Sequence, residues 1–353
     1  MKTLTIIIPT YNMEAYLDGC LDSLMTVSNR ERMEVLIIND GSKDSSSFIA
    51  HKWCERHPEM MRVIDKDNGN YGSCINRGLK EATGKYVKIL DADDRYDTVA
   101  LQAMLDTMDS VDVDVLITDY VLTGNNTIAK KYYEQQLPKE TVFNIADYRD
   151  EPHFQDIRMH SVAYRTTMLK DAHYHQAEGI SFTDVQWIFL PIAMAQTAYY
   201  LPKPVYRYLI GRAGQTVDPS QKLKGLPSAL GLAEALVETR CEVRGARCEI
   251  RESDYLIKRL MGVLKSTYRS VLVEFPDYDK ERLKALDRKI AKEQPEIYRA
   301  LGETKLLPVI GIRFISQWQQ HDYKPLPRYY QPLYTCYAQM LEKAKQLTGK
   351  TKN

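Results

Sequence analysis

Tyr86-Val87-Lys88-Ile89-Leu90-Asp91-Ala92-Asp93-Asp94 is the stretch on which the fold turns. A mostly apolar run reads as a buried strand, and a carboxylate-rich turn follows it with no spacer. The same layout occurs twice upstream. Leu4-Thr5-Ile6-Ile7-Ile8 is closed by Pro9-Thr10-Tyr11-Asn12, and Val35-Leu36-Ile37-Ile38 by Asn39-Asp40-Gly41-Ser42. Helical patterns fill the gaps: one capped by Asn12 and carrying Ala15 to Leu24, one from Ser45 to His57, one from Tyr71 to Thr83. Arg62-Val63-Ile64 and Val113 to Ile117 add two further strands, with a helix over Leu101–Met108 before the latter. Repeated βα units predict an α/β fold, a Rossmann-like, mainly parallel sheet with helices on both faces. Ligands of such sheets bind beyond the carboxyl ends of the strands, where all three polar motifs fall, so one pocket is expected.

Later segments read differently. Residues 120–200 are less regular, with a loop entering a helix through Thr183-Asp184 and a short strand at Tyr199-Tyr200-Leu201. From about residue 219 the pattern is helical. Leu256, Leu260, Leu264 and Tyr268 form an apolar stripe, and Pro276 and Pro295 interrupt the run. Residues 305–353 carry eight Lys/Arg against Asp322 and Glu342, a local charge of +6, interleaved with Phe314, Trp318 and several tyrosines. The expected organisation is a domain over residues 1–217, in two portions over residues 1–119 and 120–217. A helical region over 218–304 and a basic, aromatic segment over 305–353 follow.

Composition excludes several classes. With 353 residues, 44% hydrophobic and 27% charged, the chain buries a core and is not a disordered protein. Lys+Arg 48 against Asp+Glu 47 leaves +1, which argues against a nucleic-acid partner. No apolar run reaches the roughly 18 residues that span a bilayer. The opening residues read as a strand and not a signal peptide, so a cytoplasmic protein with reduced, scattered cysteines is expected.

Each strand-end motif has a chemical reading and a plain one. Asp91 and Asp93 flank Ala92 on a turn, where two carboxylates can face one pocket and hold Mn²⁺ or Mg²⁺. The plain reading is that Asp93 or Asp94 caps the following helix. Asp40 can accept a hydrogen bond from a base imide, or can be an ordinary Asp-Gly turn. Tyr11 can stack on a base that Thr10 and Asn12 bind, or the motif is a strand-to-helix corner. Trp187 can stack on a sugar, though in an amphipathic helix such a residue belongs more often to the core. His160 can face an acceptor, a donor sugar or a metal, and a hydrogen-bonded structural histidine is the favoured reading.

Taken jointly, IIIPTYNMEAYLDGCLDSL, VLIINDGSKDSS, DNGNYGSCINRGLKEATGKYVKILDADD and the later FTDVQW and YRYLIGRAGQTV resemble family 2 glycosyltransferases of the GT-A fold, in a bacterial cell-surface or exopolysaccharide branch. The resemblance covers residues 4 to about 217 and implies a nucleotide-binding portion over residues 1–119 and an acceptor-side portion over residues 120–217. It implies inverting, metal-dependent transfer of a sugar from a nucleoside diphosphate, most simply a UDP-sugar, to a saccharide or lipid-linked acceptor. By position, Pro9, Thr10, Tyr11, Asn12 and Asp40 would hold the nucleoside, with Glu14 at the ribose. Asp67, Asn68 and Asn76 would lie at the base- and sugar-side loop. Asp91 would touch ribose or metal, and Asp93 would bind the metal. Asp184 would be the catalytic base, although Thr183 stands where the family usually has Glu. Ile75 replaces an arginine common in the family, so a cation for the diphosphate must come from Lys85, Lys88 or Arg212. Tyr206 to Thr216, with Arg212 and Gln215, resemble a flexible segment that closes over the diphosphate.

Other classes fit less well. A nicotinamide oxidoreductase needs GxGxxG after the first strand, where this chain has PTYNME. A nucleotidyltransferase needs a Gly-rich, Arg-bearing loop there. The remaining alternative is a non-catalytic nucleotide-sugar-binding or scaffold protein on the same fold. The basic, aromatic end also leads to an expectation of peripheral contact with the inner face of the cell membrane.

Overall fold

Strand β1 (Leu4–Thr10) forms the centre of the first half, because Ile6, Ile7 and Ile8 are inaccessible to solvent and only a doubly covered sheet buries such a run. The computed structural model describes residues 2–124, 127–211, 222–245, 254–308 and 310–347. It resolves into two compact units, residues 1–215 and 216–353.

In the first unit β1 pairs in parallel with β2 (Met33–Asn39) and β4 (Tyr86–Ile89), and β2 with β3 (Met61–Asp65). Helices α1 (Leu17–Asp22), α2 (Ser46–Arg56) and α3 (Asn70–Glu81) connect these strands. Downstream come β5 (Arg95–Tyr96), α4 (Thr98–Ser110), β6 (Val115–Gly124), β7 (Thr127–Lys131), β8 (Val142–Asn144) and β9 (Val162–Arg165). Three short helices, α5 (Thr166–Asp171), α6 (Asp184–Trp187) and α7 (Leu190–Met194), precede β10 (Thr197–Leu209). Among the described residues ten strands make one sheet in the order β3-β2-β1-β4-β9-β6-β10-β5, with β7 on β6 and β8 on β10. Strands β6 and β10 run parallel to each other, while β9 enters antiparallel between β4 and β6. The sheet is the mainly parallel α/β assembly that the sequence pattern predicts.

Local differences from the sequence reading have physical reasons. Pro9 does not stop β1. The strand continues to Thr10 because pairing with β4 ends at Ile7↔Ile89, so the missing Pro9 N–H breaks no bond on that side. Asn12 caps no helix: it adopts a left-handed conformation (φ 54°) and α1 starts at Leu17. Neither Asp93 nor Asp94 caps α4. Asp97 does, accepting a hydrogen bond from Ala100 N at 3.1 Å. Tyr206-Arg207-Tyr208, expected in a flexible segment, lies within β10, where Tyr206 faces Tyr120 of β6 and Tyr96 of β5. The turn expected at Asn125-Asn126, and Arg212 and Gln215, lie outside the described residues.

The second unit is helical: α8 (Lys222–Gly245), α9 (Asp254–Arg269), α10 (Glu281–Glu293), α11 (Pro295–Gly302), α12 (Phe314–Gln320) and α13 (Tyr330–Leu347). The expected stripe of Leu256, Leu260, Leu264 and Tyr268 is buried. Pro295 opens α11 at a position where its missing N–H has no helical partner to lose. Two polar groups organise the core of this unit. The buried Asp287 carboxylate accepts from Tyr268 Oη (2.7 Å), Gln319 Nε2 (2.8 Å) and Tyr323 Oη (3.2 Å). Arg240, 1% exposed, donates to Gln294 and Glu296. Phe314 and Trp318 from the aromatic segment are buried here, whereas Tyr329 is exposed. Among the described residues no helix is long and apolar enough to cross a membrane.

Candidate active site

The loops that leave β1 and β2 are stitched to each other. Asn12 N donates to Ser42 Oγ (3.1 Å), and Asn12 Oδ1 accepts from Lys43 N (2.8 Å). Met13 N donates to Ser46 Oγ (2.7 Å), Glu14 N to Asp44 Oδ2 (3.0 Å), and Ser45 N to Glu14 Oε2 (2.9 Å). These bonds consume the side chains of Asn12 and Glu14 and leave Tyr11 projecting, 46% exposed. Thr10 is buried, with its hydroxyl on Ile8 O at 3.2 Å, and Pro9 lies between them at the end of the strand.

Asp40 is buried and held from three sides. Lys66 Nζ lies 2.5 Å from Oδ1, Gly69 N donates to the same oxygen at 2.9 Å, and Asn70 N donates to Oδ2 at 2.9 Å. Asn68 Nδ2 donates to the Asp40 carbonyl (2.9 Å), and Lys66 Nζ also reaches the carbonyl of the exposed Asp67 (2.6 Å). Gly41 turns the chain at φ +72°, and a side chain there would press on Asn68 N at 3.2 Å. Lys66 is a site residue that sequence reading missed. Its only signal was a basic residue directly after the third strand.

At the end of β4 the carboxylates gather. Asp91, Asp94 and His160 each place one ligating atom within 4.8 Å of the others. Asp94 is buried and accepts from Tyr206 Oη (2.6 Å) and Leu209 N (2.7 Å). Burial and the neighbouring Asp91 and Asp93 charges push its carboxyl well above the usual range. Asp93, which the sequence reading favoured for metal, lies outside this trio and Asp94 lies within it, while Ala92 between them is buried. His160 packs face to face on Tyr208 (4.5 Å, 25°) and edge-on to Tyr206 (4.7 Å). Burial, then the Lys88 and Arg158 charges, lower its imidazolium to about 3, so the ring is neutral. Its Nδ1 is buried with no hydrogen-bond partner among the described residues. Two carboxylates and a neutral imidazole with an orphaned nitrogen are a donor set that suits a divalent cation.

The acceptor side reaches this cluster through Asp184. Thr183 occupies the cap position of α6, and Asp184 is its first helical residue. Burial raises the Asp184 carboxyl to about 6, against the opposing pull of Val185 N–H and the Arg158 charge. The Tyr208 phenol, pushed up to about 12 mainly by burial, also feels Asp94, Asp91, Asp93 and Asp184. Tyr208 therefore lies within reach of the charges of both the Asp91–Asp94 turn and Asp184. Exposed Arg158, which precedes Met159 and His160, adds a cation near His160 and Asp184.

Other expected residues serve different ends. Asn76 is a staple: its Nδ2 donates to Gln176 O (2.9 Å) and Glu178 Oε1 (2.8 Å), and its Oδ1 accepts from Gln176 N (2.8 Å). Trp187 has no accessible surface and packs edge-on against Tyr164 (5.2 Å) and Tyr174 (5.9 Å), so no sugar can stack on it. Lys88, fully buried, donates to His160 O (2.6 Å) and Val162 O (3.1 Å). Lys85 bonds Val111 O (2.8 Å) at the other end of the strand. Neither lysine is placed to meet a diphosphate.

Comparison with known proteins bears on the fold and the family. Residues 5–172 match the family described as Glycosyl transferase family 2. The chain is 24% identical over 216 residues to the glycosyltransferase GlyA of Streptococcus pneumoniae, covering 59% of this chain and 30% of that protein. It is 24% identical over 225 residues to the minor teichoic acid biosynthesis protein GgaB of Bacillus subtilis, covering 62% and 24%. The chain thus spans about a third or less of the length of these two relatives. The crystal structure of residues 1–349 of S. aureus TarS in complex with UDP superposes with a TM-score of 0.62 at 20% identity, covering 95% of this chain and 91% of that one. The fold is GT-A, and residues 5–172 are similar to glycosyl transferase family 2.

Proposed function

We propose that the protein transfers a sugar, with inversion, from a nucleoside diphosphate to a saccharide or lipid-linked acceptor of a bacterial surface polymer. One observation carries this reading: Asp91, Asp94 and His160 cluster beyond the carboxyl end of β4, with Asp184 near enough for its charge to act on the same Tyr208, in a stretch that matches family 2. A UDP-sugar is the favoured donor, supported by TarS structures that hold UDP and UDP-GlcNAc. GgaB's role in teichoic acid biosynthesis supports the polymer class. The nucleoside lies over Tyr11, between the stitched loops and Asp40. Mn²⁺ or Mg²⁺ held by Asp91, Asp94 and His160, with Asp93 beside them, would neutralise charge developing on the departing diphosphate.

This chain's own residues supply the rest. Asp184 takes the proton of the acceptor hydroxyl as its oxygen bonds the anomeric carbon, while the bond from that carbon to the diphosphate oxygen breaks on the opposite face. Tyr71 and Tyr208 keep their protons, because burial raises both phenols. Arg158 supplies positive charge where Lys85 and Lys88 do not. The protein works in the cytoplasm, with peripheral membrane contact through its basic, aromatic end.

A donor screen tests this. Wild-type protein is incubated with Mn²⁺ and a panel of UDP-, dTDP- and GDP-sugars, reading thermal shift and nucleoside diphosphate release. A UDP-sugar should stabilise wild type and not Asp91→Ala. Comparing Asp93→Ala with Asp94→Asn identifies which carboxylate the metal needs. No metal-dependent response to any donor would favour the non-catalytic alternative.

A further inference from the structure

Tyr71 lies in the first turn of α3, where the sequence pattern marks it only as a helix residue. Its hydroxyl lies 2.7 Å from Asp91 Oδ1 and 3.5 Å from Met159 Sδ. Met159 immediately precedes His160 in the 3-10 turn 159–161. One phenol therefore touches both segments, the turn after β4 and the 159–161 turn, that build the carboxylate–imidazole cluster. Neighbours fix its own position. Asn70 N is tied to Asp40, Gly179 N donates to Gly69 O at 2.9 Å, and Gly72 lies so close to Ala177 that a Cβ would meet its carbonyl oxygen at 2.1 Å. The backbone that carries the ring is thereby fixed at the helix end.

We propose that Tyr71 is a positioning residue for the reaction, resting on the metal-site reading above. By donating to Oδ1 it sets the rotamer of Asp91 and leaves Oδ2 to the cluster with Asp94 and His160. Ile75, one helical turn further along α3, is fully buried and apolar, so this neutral donor stands where the helix offers no cation to Asp91.

Tyr71→Phe removes the hydroxyl and keeps the ring. Mn²⁺ affinity is measured by electron paramagnetic resonance in the presence of UDP, and UDP affinity by calorimetry with and without metal. Loss of a hydrogen bond to a charged group predicts Mn²⁺ affinity roughly 10- to 100-fold weaker. Metal-free UDP affinity and the melting temperature should stay close to wild type. A purely structural tyrosine would move the melting temperature and leave the metal titration in place, which overturns the proposal. Wild-type protein that binds Mn²⁺ and UDP together, with an equal Tyr71→Phe titration, overturns the positioning role alone. Wild-type protein with no Mn²⁺-dependent binding overturns the metal site itself and this role with it.

Discussion

Asp184 should impose the acid limb of the pH–rate profile. A base must be ionised, and burial has raised this carboxyl to about 6. At pH 7 roughly nine-tenths of the protein then carries the active carboxylate; at pH 5 about one-tenth does, and below that the rate falls about tenfold per pH unit. Asp184→Asn cannot accept the proton at any pH and should lower kcat by about 10²- to 10⁴-fold, with donor affinity preserved. Arg158 supplies the test of cause. Its charge opposes the rise at Asp184, so Arg158→Gln should move the acid limb upward in pH, not downward. The assay is nucleoside diphosphate release under kcat/KM conditions in a constant-ionic-strength buffer series. An acid limb centred near 4, the ordinary carboxylate range, would refute the burial argument, and an Asp184→Asn variant within a fewfold of wild type would refute the base assignment.

Three further outcomes follow. Burial pushes the Lys88 ammonium down to about 7, so the unfolded chain holds a proton that the folded one sheds. Stability should therefore rise with pH from about 7 towards 10, by at most about 1.4 kcal/mol per pH unit in urea titrations, and Lys88→Met should flatten that slope. Trp187→Ala should cost about 3–5 kcal/mol in stability and leave acceptor KM unchanged in the folded fraction, as a core residue demands; a KM effect without destabilisation would restore the sugar-stacking role. Gly72→Ala forces a methyl against Ala177 O, so it should destabilise the first unit and slow turnover; wild-type values for both would show that the 177 segment yields freely.

The strand ends were legible in the sequence because local chemistry decides them. Apolar runs such as Leu4–Ile8 and Val35–Ile38 can be satisfied only inside a covered sheet, and the polar residues that close them can point only to its carboxyl edge. The acceptor side was not legible, for two separate reasons. Asn76 bonds partners about a hundred residues away, and nothing near it in the chain announces Gln176 or Glu178. In Asp91-Ala92-Asp93-Asp94, spacing favours the two outer members of an alternating triplet. The turn instead buries Asp94 against Tyr206 and Leu209 from β10, a strand recognised only at Tyr199 to Leu201. Strand β9 escaped notice as well. It is four residues long and takes its partners from β4 and β6 rather than from a neighbour in sequence.

Helix α3 explains why a donor-side motif and an acceptor-side loop behave as one site. Its amino end gives Gly69 N and Asn70 N to Asp40, and the next residue gives a hydroxyl to Asp91. Gly72 then abuts Ala177, and a turn later Asn76 staples residues 176–178, which lead into Asp184. Each contact alone is a hydrogen bond or a close packing, worth about 1 kcal/mol, or about 1.5–3 kcal/mol where the acceptor is a carboxylate. Their order along two helical turns matters more, because a rigid helix cannot shift one contact without straining the others. A substitution that displaces the helix itself should therefore act on nucleotide, metal and base together, whereas Tyr71→Phe acts on the metal alone, and double-mutant cycles between Gly72→Ala and Asn76→Ala should show coupling above about 0.5 kcal/mol. Additive effects would mean that the helix bends between its first and second turns, and that the two halves of the site are held in register by the sheet alone.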